Sequence, residues 1–244
     1  MRQTLLLSRR TAKEVLRDPL TLAFGLGFPL VILGLLSAIQ ANVPVELFRI
    51  EQLGPGVTVF GLSFMTLFSA LLVSKDRTSA LLLRLYTTPL RPVDYILGYL
   101  LPMLPISLMQ TAVCYVFGLV LGLGWTPRIL LCLVLGLPMA LVFLALGLLC
   151  GSLMNDKQAG AVCGALLTNL SAWLSGIWFD VALVGGAFKK LAALLPFWHG
   201  VELQRAAYAG NYAAIPSHLW WVLGYAVALT ALAVWAFLHQ MKKN

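Results

Sequence analysis

Long, nearly uncharged apolar runs constrain this chain more than any other feature of its sequence. Hydrophobic residues make up 60% of the 244 residues, and charged residues make up only 11%. Soluble domains carry about 25% charged residues, because water has to solvate their surface. A soluble helical core would also need polar residues recurring along every helix. The sequence therefore predicts an all-α integral membrane protein covered largely by lipid.

Six stretches of the chain are long and apolar enough to cross a bilayer. A helix needs about 20 residues to span about 30 Å of hydrocarbon. The predicted transmembrane helices cover roughly residues 20–41, 54–74, 95–123, 129–151, 159–180 and 219–238. The first run is longer than the roughly 7–15 apolar residues of a signal peptide, so we interpret it as an uncleaved span.

The distribution of Lys and Arg predicts the orientation of these spans. With the N-terminus in the cytoplasm, most of the 17 Lys and Arg residues fall in cytoplasmic segments. The predicted outer loops hold only Arg49, Arg128, Lys189, Lys190 and Arg205. Six spans then leave both termini in the cytoplasm, and we expect a multi-pass protein of the bacterial inner membrane. The net charge of +8 is interpreted as loop charge and not as a nucleic-acid surface.

Residues 1–18 have the pattern of an amphipathic helix at a membrane surface. One face of such a helix carries the apolar residues Leu5, Ala12, Val15 and Leu16. The other face carries the charged residues Arg10, Lys13, Glu14 and Arg17. Asp18 and Pro19 then predict the N-cap and the first residue of the next helix. The chain should turn sharply at this point and enter the bilayer.

The longest segment outside the predicted spans, residues 181–218, is still apolar, and we expect a re-entrant or interfacial helix pair on the outer side. His199 and Glu202 are three positions apart, so a helix would place them on one face. They could form half of a metal site or an acid–base pair, or simply a polar edge beside Trp198. An integral-membrane enzyme centred on His199 and Glu202 is therefore the alternative function.

Motifs for nucleotide hydrolysis or hydrolytic catalysis are absent from the sequence. There is no G-x-x-x-x-G-K-[ST], no H-E-x-x-H and no G-x-S-x-G. Any ATP-driven work would therefore need an ATPase on another chain or domain. The four cysteines lie in apolar runs without a C-x-x-C spacing, which predicts small buried hydrophobic residues.

Three glycine pairs have the G-x-x-x-G spacing that lets helix backbones approach closely. They are Gly118 and Gly122, Gly147 and Gly151, and Gly160 and Gly164. The spacing predicts close helix packing, either within the chain or at a dimer seam.

The segment 75–94, between the second and third spans, combines charge, leucines and a terminating proline. It predicts a short helix from about Asp76 to about Tyr86, with Asp76 near the start, where it suits the helix dipole. Two interpretations remain open at this point. The segment is either a solvated loop close to the membrane or a docking helix that inserts into a groove on a soluble partner.

Three places carry a family resemblance. Arg17-Asp18-Pro19 follows the amphipathic segment, and Leu195-Pro196-Phe197-Trp198-His199 precedes the last span. In the loop between them stand Asp76-Arg77, Thr78, Leu81 to Leu85 and Thr88-Pro89. In order and spacing these motifs resemble the ABC-2 family of ABC exporter permeases. The family's Gly before Thr is missing here, because Arg77 directly precedes Thr78.

The resemblance implies roles for three groups of residues. A connecting helix would include Arg10, Lys13, Arg17 and Asp18. A coupling helix would include Asp76, Arg77, Thr78, Leu81, Leu82, Arg84, Leu85, Thr88 and Pro89. An outer gate would include Pro196, Phe197, Trp198, His199 and Glu202.

The same resemblance implies partners and a function. Residues 1–244 would form one transmembrane domain that pairs with a second permease, either a copy or a relative, and binds an ABC ATPase. ATP and Mg²⁺ would bind the ATPase, with no cofactor on this chain and with membrane lipid as a further partner. The spans hold almost no charge, and intramembrane charges mark ion paths. The expected cargo is therefore an exported apolar or amphipathic compound, such as a drug, a lipid or an antibiotic-like molecule.

Overall fold

The computed structural model describes residues 2–44, 46, 48–78 and 92–241, and all regular structure within them is helical. The helices are α1 (Arg2–Leu16), α2 (Pro19–Asn42), α3 (Ile50–Thr78), α4 (Pro92–Val120), α5 (Arg128–Leu153), α6 (156–174), α7 (Val181–Val184), α8 (Gly186–Leu194), α9 (Pro196–Ala209) and α10 (Ile215–Met241). Two of them contain π-helical stretches, Ala23–Gly27 in α2 and Gly160–Leu167 in α6.

Five helices among the described residues, α2, α3, α4, α5 and α10, are long and apolar enough to cross a membrane. They correspond to the predicted first, second, third, fourth and sixth spans. The predicted fifth span, residues 159–180, is not among them. Its helix, α6, ends at Leu174, and Gly176 follows with a φ of 74°, a conformation that favours glycine and turns the chain.

Helix α3 forms the centre of the bundle. In its most apolar window 83% of the residues are buried, against 17% for α2, which therefore lies at the periphery. Helix α3 packs against α2, α4, α5, α6 and α9, while α10 packs against α5 and α9. Because α3 rises about 1.5 Å per residue, Gln52 and Asp76 lie about 36 Å apart, at opposite ends of the bundle.

Close packing of α3 on α5 depends on the glycines of α5. A Cβ atom on Gly147 would lie 2.5 Å from the Thr66 carbonyl oxygen, and one on Gly151 would lie 2.5 Å from the Ala70 carbonyl oxygen. The prediction of close packing within the chain is confirmed for this pair. Gly122 instead adopts a φ of 101° in the turn after α4.

The four cysteines are buried and free, as the sequence predicts. Helix α1 packs against α4 through a buried stripe that consists of Thr4, Leu7, Thr11 and Val15. Of the predicted apolar face, Val15 lies in this stripe, whereas Leu5 and Leu16 are 64% and 58% exposed. Exposed leucines on an amphipathic helix suit the predicted contact with a membrane surface.

Candidate functional site

The turn between α1 and α2 is held by Asp18. Its carboxylate accepts hydrogen bonds from the backbone amides of Leu20 at 3.1 Å and Thr21 at 3.3 Å, and from the Thr21 hydroxyl at 2.7 Å. Pro19 occupies the first turn of α2, so both parts of the capping prediction are confirmed. The hydrogen bond from the Thr21 side chain lowers the pKa of Asp18, and the carboxylate therefore stays charged.

Helix α1 lies directly on α4. A Cβ atom on Gly98 would lie 2.5 Å from Cδ2 of Leu7, so only glycine allows this approach without movement of Leu7. Near the start of α1, the Thr4 hydroxyl donates a hydrogen bond to Oδ1 of Asp94 at 2.6 Å. The two contacts fix the position of α1 on the first half of α4.

Asp76, in the last turn of α3, is the centre of a buried ion-pair cluster. Its side chain is only 3% exposed. Arg10 of α1 donates from Nη2 to Oδ1 of Asp76 at 2.7 Å and from Nη1 to Oδ2, and the Tyr99 hydroxyl of α4 donates to Oδ2 at 2.5 Å. Arg10 also pairs with Glu14 at 2.8 Å. These four residues, Arg10, Glu14, Asp76 and Tyr99, form what we call the Asp76 cluster, which joins α1, α3 and α4.

The Asp76 cluster satisfies a buried carboxylate that would otherwise be costly. A buried charge is tolerated when it is paired and hydrogen-bonded, and a two-bond arginine fork is the strongest common partner. The hydrogen bond to Asp76 raises the pKa of Arg10 above its ordinary value, although burial opposes the change. The Arg10 guanidinium is therefore charged, and α1 is held to α3 by a charge-assisted contact.

The predicted start of the short helix at Asp76 is wrong. Asp76, Arg77 and Thr78 are the last residues of α3, which continues without a break from Ile50. A carboxylate at a helix C-terminus is unfavourable for the helix dipole. Arg10 of α1 and Tyr99 of α4 compensate for this unfavourable position by binding the Asp76 carboxylate. The sequence of residues 75–94 alone does not indicate contacts from other helices.

Arg77 points towards α5 and not towards solvent. Its Nη2 donates to the Met154 carbonyl oxygen at 2.8 Å, and its Nη1 donates to the Ser152 carbonyl oxygen. These are carbonyls at the C-terminal end of α5, where no further helical amide can reach them. Arg77 thus ties the end of α3 to the end of α5.

The remaining predicted coupling residues lie outside the described residues. They are Leu81, Leu82, Arg84, Leu85, Thr88 and Pro89. Next to the Asp76 cluster, α1 carries an open groove of about 640 Å³ that is lined in part by Arg9, Lys13 and Arg17. These three residues are spaced four apart and are exposed, so α1 presents a basic stripe away from the bundle.

Arg205 holds together the opposite end of the bundle. From α9 it donates to the Gln52 carbonyl oxygen of α3 at 3.3 Å, to the Gly176 carbonyl oxygen at 3.0 Å and to Oε1 of Glu202 at 2.9 Å. One guanidinium therefore links the first turn of α3, the turn after α6 and α9. No motif in the sequence singled out this residue, which sequence analysis treated only as an outer-loop charge.

Helix α9 is further anchored by a buried amide. Gln204 donates to the Cys132 carbonyl oxygen of α5 at 3.0 Å and accepts a hydrogen bond from the Tyr115 hydroxyl of α4 at 2.9 Å. In the sequence, the one signal for Gln204 is that a polar amide stands within an apolar stretch. Phe197 is buried on the same helix and stacks on Phe143 of α5 at a centroid distance of 5.7 Å.

A cavity of about 780 Å³ lies at this end, and we call it the Arg205 cavity. Its aromatic lining includes Trp178, Phe179, Trp198 and Tyr208. Its charged lining consists of Arg49, Glu51, Arg128, Asp180, Glu202 and Arg205, and His218 also faces it. Burial raises the pKa of Tyr208, whose hydroxyl donates to the Gly124 carbonyl oxygen at 2.9 Å.

His199 and Glu202 share one face of α9 but have different partners. His199 contacts His218 and the Ala193 carbonyl oxygen, whereas Glu202 pairs with Arg205 at 2.9 Å. Within the described residues, no group of three or more His, Cys, Asp or Glu side chains is arranged to hold a metal ion. Burial lowers the pKa of His199 below its ordinary value, an effect that the Ala193 carbonyl opposes.

The helices and their contacts define a multi-pass membrane protein whose N-terminal helix is clamped to the end of its central helix. The family model for ABC-2 type transporters matches residues 2–209. The chain therefore belongs to the ABC-2 type transporter family. It is the membrane subunit of an ABC transporter. No curated protein matches the chain.

Proposed function

We propose that this chain is the permease subunit of an ATP-driven exporter whose ATPase is a separate partner. The observation that carries the proposal is the Asp76 cluster. It joins α1, α3 and α4 at the point where the chain enters the 79–91 segment, which follows α3 directly. A force applied to that segment would reach three helices at once.

The structure around α3 favours transmission of such a force. Helix α3 contacts α5 closely at Gly147 and Gly151, which have no side chain of their own, and Arg77 ties the adjacent ends of α3 and α5. Helices packed this closely move together, because their backbones cannot slide without a clash. In this proposal, closure of the ATPase pair pushes on residues 76–89, and α3 carries the movement to the Arg205 end.

The topology that we propose has six spans with both termini in the cytoplasm of a bacterial cell. Helix α6 would be the fifth span, shortened by the turn at Gly176, and α7 to α9 would form the re-entrant or interfacial segment before α10. The Lys and Arg distribution supports this orientation. The hydrogen bonds of Gln204 and Arg205 support a segment that lies against protein and not freely in lipid.

A dimer and an apolar cargo complete the proposal. The peripheral helix α2 exposes large side chains, among them Val31 at 65% and Leu35 at 59%. Such a surface suits lipid, a second permease or an apolar cargo between two permeases. The basic stripe of α1 would face anionic lipid headgroups or the ATPase at the cytoplasmic surface.

Cysteine labelling tests the orientation on which the proposal depends. The four native cysteines are replaced by Ala or Ser, and single cysteines are introduced as Arg84→Cys, Lys157→Cys or Trp125→Cys. We expect a membrane-impermeant maleimide applied to intact cells to label only Trp125→Cys, which is on the α4–α5 connection. Labelling of Arg84→Cys from outside would overturn the proposal, because that segment could then never meet a cytoplasmic ATPase.

Co-purification tests the partner. The tagged chain should retain an ATPase with a P-loop, identified by mass spectrometry. A variant with residues 79–88 replaced by a Gly/Ser linker of equal length should lose it while still eluting as a single symmetric peak, which shows that the chain remains folded. Retention of the ATPase by this variant would rule out a docking role for the segment.

A further inference from the structure

His199 and His218 face each other through the same ring nitrogen. The two Nδ1 atoms are 2.9 Å apart, which requires one proton between them. The other nitrogen of His199, Nε2, lies 2.8 Å from the Ala193 carbonyl oxygen. Trp221 stacks on the His199 ring at a centroid distance of 4.9 Å and an interplanar angle of 8°. His199 is only 6% exposed, so its contacts are buried within the protein.

These contacts determine which tautomer each neutral ring adopts. A carbonyl oxygen can only accept, so Nε2 of His199 carries its proton. Nδ1 of neutral His199 is then the acceptor, and Nδ1 of His218 is the donor. Neutral His218 is thus the Nδ1–H tautomer, and its Nε2 has no hydrogen-bond partner among the described residues.

We infer that the His199–His218 pair is a proton-binding site that takes up one proton and excludes a second. The first proton adds to Nε2 of His218, on the ring that lines the Arg205 cavity, and every existing hydrogen bond is kept. The only remaining basic nitrogen is Nδ1 of His199. A proton there would place two N–H groups head to head and two positive charges on adjacent rings.

The charged groups around the pair are compatible with one added charge. Those that line the cavity with His218 are Arg49 and Glu51 near the start of α3, Arg128 of α5, Asp180 before α7, and Glu202 and Arg205 of α9. Positive and negative groups are equal in number. Burial of the two rings disfavours a proton on either histidine, and Glu202 partly offsets this, although its own ion pair with Arg205 limits the offset. Lys189 and Lys190 of α8 are exposed.

The site also has a mechanical consequence. The pair connects α9 to α10, and the Ala193 contact extends the connection to the end of α8. In the same place, the Tyr225 hydroxyl of α10 donates to the Leu194 carbonyl oxygen at 2.7 Å. Neutral and singly protonated pairs keep these helices together, whereas double protonation separates α9 from α10.

Nitrogen-15 NMR of histidine-labelled protein in lipid nanodiscs tests the inference directly. The chain has three histidines, so each ring can be followed, and His239→Asn removes the third signal as an assignment control. At neutral pH we expect His218 as the Nδ1–H tautomer and His199 as the Nε2–H tautomer. Between about pH 8 and about pH 5, only His218 should become an imidazolium.

A second variant keeps the test independent of the titration of His218. In His218→Asn, the amide can still donate to Nδ1 of His199, so His199 should keep its Nε2–H tautomer and stay neutral over the same range. An Nε2–H tautomer of neutral His218, or simultaneous charging of both rings in the unmodified chain, would overturn the inference. Neither result would bear on the proposed transport function, because the measurement uses the isolated chain.

Discussion

Arg10 and Asp76 are 66 positions apart in the chain, and their side chains form a two-bond ion pair at the end of the central helix. The carboxylate is buried, whereas the guanidinium side chain is 37% exposed. The two residues of the pair therefore differ in how much they depend on each other. Loss of Arg10 would leave a buried charge, while loss of Asp76 would leave a cation that can still reach water and Glu14.

Removal of Arg10 should weaken the protein more than removal of both partners. We expect Arg10→Ala to lower the free energy of unfolding by about 3 kcal/mol, because the buried Asp76 carboxylate then loses the two-bond contact with the Arg10 guanidinium. The double variant Arg10→Ala with Asp76→Ala should lose clearly less. Thermal unfolding in detergent measures both. Arg9→Ala, an exposed arginine on the same helix, is the control and should change stability by no more than about 0.5 kcal/mol. Equal losses in Arg9→Ala and Arg10→Ala would contradict the assignment.

Gly151→Ala should force α3 and α5 apart. The added Cβ would lie 2.5 Å from the Ala70 carbonyl oxygen, and backbone cannot rotate out of the way. We expect a loss of about 1–3 kcal/mol, the usual cost of overpacking. The matched control is Gly224→Ala in α10, where nothing lies within 4 Å of the new atom. That variant should be neutral or slightly stabilised, since alanine favours a helix. Melting temperatures of the two variants, measured side by side, test whether α3 and α5 pack this closely at Gly151.

Arg205→Lys should destabilise the Arg205 end although the charge is kept. A lysine ammonium cannot reproduce the fork that reaches the Gln52 and Gly176 carbonyls and Glu202 together. We expect a loss of about 2 kcal/mol, with faster proteolysis in the turn around Gly176. Arg49→Lys is the control, because Arg49 is 58% exposed and pairs only loosely with Glu46. An unchanged cleavage pattern in Arg205→Lys would show that the guanidinium does not join these segments.

Stability should fall as the solution becomes acidic, and His199 should contribute to the fall. Burial lowers the pKa of His199 in the folded protein. The unfolded chain therefore binds this proton more readily, and the contribution of His199 is complete above its ordinary pKa of about 6.5. It is lost as the pH falls from there through the lower folded-state pKa.

Melting temperatures recorded from about pH 7 to about pH 5 test this dependence. His199→Asn should show a smaller decrease than the unmodified chain, because position 199 no longer titrates. His239→Asn should keep the full decrease. The expectation fails if the slopes of the two variants are the same.

The apolar runs predict α2, α3, α4, α5 and α10 because length and hydropathy are local properties. The capping of α2 by Asp18 and Pro19 was predictable for the same reason. The fifth predicted span, residues 159–180, is not helical throughout, because α6 ends at Leu174 and Gly176 turns the chain within a stretch whose composition stays apolar. A hydropathy pattern does not report backbone conformation at a single glycine.

The candidate site was predictable only in part. Asp76 and Arg10 were each singled out, on two different segments, but nothing in the sequence indicated that they contact each other. Tyr99 lies within an apolar run and looked like an ordinary aromatic residue of a span. Arg77 was singled out only as a member of the coupling helix that the resemblance implies, and nothing in the sequence indicated its contact with the end of α5.

The sequence by itself determined that the chain is helical, that it needs lipid, and where most of its long helices lie, because these properties depend on neighbouring residues and on the cost of exposing apolar surface to water. Only the tertiary structure decided which polar side chains meet. Arg10 reaches Asp76, Arg205 reaches Gln52 and His199 reaches His218 because separate helices bring them together, and each contact is needed since a polar group buried among apolar helices must find a partner.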